Sequence, residues 1–348
     1  MTRNTPFDLN SLIRKNILAM KPYSSARDEF KGEAEVFLDA NENPYPSPYN
    51  RYPDPLQLKV KEKLGALKGT SAEHIFLGNG SDEAIDLLIR AFCEPNRDSI
   101  LIAEPTYGMY SVCAEVNAVN IQRTLLTAEF DLDLEGISKK KDQTTKIIFL
   151  CSPNNPTANL LSRDKVIEVL KSFAGLVVVD EAYIDFASSK SFIEDLNSYP
   201  NLVVLQTFSK AWGLAGLRLG MCFASVGIID ILNKIKYPYN VNIKTQELAL
   251  EALSDNRRKD KWVSEIIDQR KWLSEALKEL PMTQTVYPSE GNFLLVKVND
   301  ARGAYHSLMD RNIIVRDRSR VSLCDNCLRI TVGMPEENKT LIKALKEL

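Results

Sequence analysis

The 348-residue sequence predicts an α/β fold, a large domain with a mostly parallel central sheet followed by a smaller α+β C-terminal domain. Three observations carry that expectation. Between about residues 73 and 224, short apolar runs alternate with amphipathic helical stretches. The runs are continuous and rich in β-branched residues, as strands covered on both faces are. Past Tyr237-Pro238 the pattern changes to long helical segments with few strands.

Residues 1–40 read as an N-terminal arm, in a region punctuated by Pro22, Pro44, Pro46 and Pro48. Residues 41–240 form the expected large domain. Its strands are EHIFL (73–77), SILIA (99–103), KIIFLC (146–151), LVVVD (176–180), LVVLQT (202–207) and LGMCFA (219–224). After Ser81, the residues Ile85, Leu88, Ile89 and Phe92 share one helical face; after Ser162, so do Val166, Val169, Leu170 and Phe173. Residues 241–348 form the expected small domain. It has helices over roughly 243–254 and 258–280, a strand NFLLVKV (292–298) and a helix near 301–311. The runs NIIVR and CLRITV follow, then a last helix from about 336. There is no internal repeat.

Composition narrows the function classes. Apolar and charged fractions of 44% and 26% are those of an average soluble globular protein. A net charge of -2 leaves no basic footprint for nucleic acid or membrane, and Lys139-Lys140-Lys141 reads as a solvated loop. No apolar stretch approaches the roughly 20 residues that span a bilayer. The N-terminal segment lacks a signal-peptide pattern, so a cytoplasmic location is expected. The six scattered cysteines suit buried free thiols in a reducing compartment. Cys324 and Cys327 form a C-x-x-C, but no second pair exists and the chain has only His74 and His306, so no metal site is expected. Histidine-based nucleophilic catalysis also lacks material.

In an open parallel sheet, ligands bind outside the carboxyl ends of the strands. After EHIFL, Gly78-Asn79-Gly80-Ser81-Asp82 leads into a helix and presents unpaired N–H groups to an anion, although such turns are also common without one. After KIIFLC, Ser152-Pro153-Asn154-Asn155-Pro156-Thr157-Ala158 is a turn whose asparagine also suits a ring substituent. Asp180, ending LVVVD, either caps local structure or holds a pyridine nitrogen protonated. Lys210, after LVVLQT, is either a surface lysine or a desolvated amine of lowered pKa that attacks carbonyls. Ser209 and Arg218 beside it suit an anionic group.

The order of these blocks resembles the pyridoxal-phosphate (PLP)-dependent aminotransferases of fold type I over essentially the whole chain. SPNNPT, VVVDEAY and SKAWGLAGLRLG carry most of the likeness. Further matches at KPYSSAR (21–27), LDANENPYP (38–46), RYPD (51–54), EPTYGMY (104–110), IIVRD (313–317) and CLRITVG (327–333) bring it nearest to the histidinol-phosphate aminotransferases within that class.

The resemblance implies pyridoxal 5'-phosphate as cofactor, histidinol phosphate and glutamate/2-oxoglutarate as substrates, and a homodimer with shared active sites. It implies that Lys210 forms the Schiff base and carries the proton, while Asp180 pairs with the pyridinium nitrogen. Asn155 and Tyr183 would bind the phenolic oxygen, and Tyr107 would stack on the ring. The cofactor phosphate would lie on the N–H groups of Ser81 and Asp82, with Ser209 and Arg218, and Tyr52 would reach the phosphate of the neighbouring subunit. Arg329 would grip the α-carboxylate; Arg329, Arg316 and Tyr23 would bind the substrate phosphate. Arg318 and Arg320 add positive charge nearby, though as plain surface residues they need no role. Ala158 stands where the family has glycine, which implies a slightly different turn because a methyl group disfavours positive φ. Aromatic amino-acid transamination and phosphothreonine decarboxylation are the alternatives on this scaffold. A non-catalytic effector-binding module would need a fused DNA-binding domain, for which the arm is short.

Overall fold

The computed structural model describes residues 7–23 and 35–348. Seven strands form one sheet: β1 (Ile75–Asn79), β2 (Ser99–Glu104), β3 (Asn120–Leu125), β4 (Thr145–Cys151), β5 (Leu176–Asp180), β6 (Leu202–Thr207) and β7 (Leu219–Ala224), in the order β1-β7-β6-β5-β4-β2-β3. Neighbours run parallel except around β7, which is antiparallel to both β1 and β6. The six expected strands are present. β3 is the addition: it lies at the sheet edge, pairs only with β2, and its sequence NIQRTL is mostly solvent-facing. An edge strand needs no continuous apolar run, so none marks it in the sequence.

Strand alternation feeds two cores, one per face. Val177, Val179, Leu202 and Val204 meet Val166, Val169 and Leu170 of the helix Arg163–Ser172 on one side. Leu176, Val178, Val203 and Leu205 meet Ile85, Leu88, Ile89 and Phe92 of the helix Gly80–Phe92 on the other. Each such aliphatic side chain withdrawn from water contributes about 1.5–3 kcal/mol. Helix Ile243–Ser254 brings Ala249 and Ala252 to the first core, beside Val60 and Leu64 of the helix Leu58–Lys68.

A second, fully antiparallel sheet comprises β8 (Thr283–Val286), β9 (Phe293–Val298), β10 (Arg316–Asp317) and β11 (Cys327–Thr331), in the order β10-β11-β9-β8. It packs on the helices Asn256–Lys278 and Pro335–Lys346 through Leu273, Leu277, Leu341 and Leu345. Of the apolar run NIIVR only Arg316 is strand, pairing opposite Arg329; the isoleucines precede the ladder. Among the described residues, no helix is long and apolar enough to cross a membrane.

Behind the strand ends, Glu181 is buried and accepts from the Ser191 hydroxyl, from the Phe192 N–H at 2.7 Å and from Gln206 Nε2 at 2.9 Å. Burial nonetheless pushes its pKa up to about 7 from the usual 4.5. The folded chain therefore holds this proton more tightly than the unfolded one. The stability it confers is full below about pH 4.5 and is lost as pH rises through about 7. Glu181→Gln removes that dependence. Relative to wild type, the variant's unfolding free energy from urea titrations should improve by up to about 3 kcal/mol between pH 4.5 and 8.

Candidate active site

β1 ends where the thirteen-residue helix Gly80–Phe92 begins, and this junction rests on β7. Gly80 has φ +73°, and its N–H donates to the Arg218 carbonyl at 2.6 Å. A Cβ on Gly220 would lie 2.1 Å from both Gly80 C and Ser81 N, so only glycine allows the approach. The first-turn N–H groups of Ser81 and Asp82 have no acceptor within the helix. Around them stand the Ser209 hydroxyl and the Arg218 guanidinium, whose Nη1 is 3.5 Å from Ser209 Oγ and whose Nη2 is 3.4 Å from Asp82 Oδ2. Thr207 orients Ser209, accepting its N–H at 3.1 Å and bonding its hydroxyl at 3.0 Å. Helix dipole, amides, hydroxyl and guanidinium together make an anion cradle.

Asp180 stands at the end of β5, only 2% exposed. Its Oδ2 accepts from Tyr110 OH at 2.7 Å and its Oδ1 from the Ala182 N–H at 3.1 Å. Burial raises its pKa to about 6, and these two donors oppose the rise by binding the charged form. Tyr110 is wholly buried and stacked on Phe149 with centroids 4.7 Å apart. Tyr107 lines the same cleft, edge-on to Tyr110, and donates to Asp82 Oδ1 at 3.1 Å.

Lys210 follows β6 and faces this cleft with its Nζ 5.5 Å from the centre of the Tyr183 ring. Desolvation first, then the positive charges of Arg329 and Arg218, lower its pKa; Asp180 and Asp82 partly counter them. Asn155 and Tyr183 close the far wall, Nδ2 to hydroxyl at 3.5 Å. Arg329 Nη1 donates to Asn155 Oδ1 at 2.7 Å, and Arg316 lies in register across the small sheet.

One cleft thus gathers Ser81, Asp82, Tyr107, Asn155 and Asp180 with Tyr183, Ser209, Lys210 and Arg218. Arg329 joins it through Asn155, with Arg316 beside Arg329. Tyr52 and Tyr23 are not brought there: they line a separate surface cleft, where Tyr52 stacks on Tyr239 at 4.4 Å. Ala158 is fully buried at φ +66°, with its N–H on the Asn154 carbonyl and its own carbonyl accepting from Glu290, each at 2.7 Å. The turn therefore keeps a left-handed residue despite the methyl group, at a cost of about 1–2 kcal/mol. Cys324 and Cys327 are buried and joined by a turn bond of 3.0 Å, with pKa values pushed up by burial to about 12 and about 11, so both remain thiols.

Sequence reasoning missed Tyr110, Thr207 and Cys151, which line or support the cleft. For Tyr110 a signal existed: it sits three residues after Tyr107 in EPTYGMY, and the helix Met109–Val116 turns it inward. For the other two, nothing distinguishes a strand-end threonine or cysteine from a core residue.

Comparison with known proteins agrees with this geometry. The family model for aminotransferase class I and II matches residues 31–345. The chain is 56% identical over 341 residues to the histidinol-phosphate aminotransferase of Parabacteroides distasonis, covering 98% of this chain and 99% of that one. The crystal structure of the histidinol-phosphate aminotransferase from Clostridium acetobutylicum superposes with a TM-score of 0.79 at 26% identity, covering 85% of this chain and 90% of that one. The Sinorhizobium meliloti histidinol-phosphate aminotransferase, solved with pyridoxal-5'-phosphate, shares the fold with a TM-score of 0.78 at 24% identity, covering 85% and 82%. The chain belongs to the class I and II aminotransferases, among the histidinol-phosphate aminotransferases.

Proposed function

We propose that this enzyme moves an amino group between L-histidinol phosphate and 2-oxoglutarate, as a step of histidine biosynthesis, with pyridoxal phosphate as its cofactor. The observation that carries the reading is a single cleft holding an anion cradle, a buried carboxylate and an amine of lowered pKa. A pair of arginines flanks its far wall.

The residues fit the cofactor. Gly220 lets the Gly80–Ser81 backbone close on β7, and Gly80 leaves room for the Arg218 guanidinium, so the Ser81 and Asp82 amides and Arg218 stand together where a phosphate would bind. Asp180, held by Tyr110, would keep a pyridinium N–H protonated, and Asn155 and Tyr183 would hydrogen-bond the phenolic oxygen. Tyr107 is assigned to the ring face. Bound there, the cofactor supplies an electron sink for charge developing at the substrate α-carbon.

The side chains do the rest. Lys210 Nζ would take up and return the proton moved at the substrate α-carbon; its lowered pKa favours the neutral amine that this task needs. Arg329 holds the α-carboxylate of glutamate, its other face fixed by Asn155. Histidinol phosphate has no carboxylate, and its phosphate takes the same cationic wall, Arg329 with Arg316. Tyr23 is assigned to that phosphate on the resemblance alone.

Two copies would share their sites as a homodimer. Tyr52 lies away from its own cleft and 50% exposed, which supports its reaching the phosphate cradle of a partner. All six cysteines are buried and unpaired, which supports a cytoplasmic, reducing location.

The decisive assay supplies histidinol phosphate, phenylalanine or tyrosine, each with 2-oxoglutarate, and follows glutamate. Turnover of histidinol phosphate is expected; activity on the aromatic amino acids alone would sink the substrate assignment. Lys210→Ala should lose both turnover and the visible absorbance of bound cofactor. Gly220→Ala should push the cradle apart and release cofactor on gel filtration, with a stability loss of about 1–3 kcal/mol. Tyr110→Phe leaves Asp180 short of a donor and should weaken cofactor retention about tenfold, measured by equilibrium dialysis.

A further inference from the structure

Arg318 is not the plain surface residue its sequence suggests. Its backbone N–H donates to the Cys327 carbonyl at 2.8 Å, continuing the ladder that sets Arg316 opposite Arg329 and Asp317 opposite Leu328. Side chains alternate along an extended strand, so Arg318 shares the face of Arg316 and Arg329. Burial first, then the charges of Arg329 and Arg316, push the Arg318 pKa down, while Cys324 and Tyr183 act the other way. Arg318 therefore borders the wall of the cleft that Tyr183 and Arg329 form.

Among the described residues, no acid pairs with this group. The Arg318 Nε is sealed from solvent without a hydrogen-bond partner. Neither Arg316 nor Arg318 makes a side-chain hydrogen bond or ion pair with any described residue, and Arg329 meets only neutral groups among them, Asn155 and the face of the Phe293 ring. The one acid in the segment, Asp317, points away, accepting from the Ser319 N–H at 2.8 Å and hydroxyl at 2.6 Å. Its charged neighbours are Arg320 and Arg302. Three guanidiniums thus converge without a counter-charge. A partly buried, unpaired cation is costly unless an anion arrives to meet it.

We propose that Arg318 is a specificity-determining residue, a third guanidinium that with Arg316 and Arg329 receives the doubly charged end of the substrate and favours it over neutral side chains. The inference rests on the transamination reading above. A phosphomonoester carries about -1.5 to -2 charges near pH 7 and three acceptor oxygens, more than one planar fork can satisfy. The same cluster serves the dicarboxylate of the second half-reaction.

The test uses holoenzyme, comparing wild type with Arg318→Met, which keeps the apolar stem without the charge, and Arg318→Lys. KM and kcat are measured for histidinol phosphate and for phenylalanine, together with calorimetric binding of inorganic phosphate. In Arg318→Met, KM for histidinol phosphate and the phosphate dissociation constant should each rise about tenfold to a hundredfold, with kcat changing less than KM. The KM for phenylalanine and the cofactor spectrum should hold, and lysine should restore part of the loss. Unchanged phosphate binding, or an equal rise in KM for phenylalanine, would overturn the proposal. If the methionine variant does not fold, Arg318→Gln gives the same readout. Wild-type enzyme inert on histidinol phosphate would defeat the functional reading instead, while phosphate calorimetry would still judge Arg318.

Discussion

Everything in this cleft depends on a backbone contact with no side chain in it. The start of the Gly80–Phe92 helix lies on β7 at Gly220 so closely that one added carbon would overlap two backbone atoms. That contact sets the first-turn amides of Ser81 and Asp82 beside Arg218, whose carbonyl takes the Gly80 N–H, and brings both to Ser209 after β6. It also explains why β7 runs antiparallel. A strand returning from the loop that follows Lys210 delivers Arg218 to the same end of the sheet as the parallel strands deliver Asp180 and Asn155.

Lys210 stands among opposed charges. Asp180 and Asp82 raise its pKa, Arg329 and Arg218 lower it, and burial with the cations leaves it lowered. Asp180 is in the converse position: burial raises it, while Tyr110, a backbone N–H and the Lys210 charge favour its charged form. Burial thus favours the uncharged form of both groups, and the donors on Asp180 oppose it there. The arginine wall extends this logic to the substrate, because the small sheet places several cations on one face and turns its acid to the other.

Much of the fold was legible because buried parallel strands must be apolar throughout. Six of the seven large-sheet strands announced themselves so. β3 and β8 did not, since edge strands with solvent-facing residues, NIQRTL and TQTV, carry no such mark. The motif residues at the strand ends were legible as a set, and they do line one cleft. The spacing of Tyr110 from Tyr107 marks its face, but its partner Asp180 lies seventy residues away in sequence and only the fold brings the two together.

By itself, the sequence determined the alternation of strands and helices, the strand-end positions of Asp180 and Lys210, and the glycines that permit close approach. These follow from periodicity and from backbone freedom, which are local. Tertiary structure decided which charges meet. Arg318 looked like any exposed arginine until the pairing of β10 with β11 set it beside Arg329, with no acid paired to it among the described residues. Tyr52 fell outside the cleft of its own chain. Electrostatic neighbourhood is a property of distance in space, and only the packed sheets supply those distances.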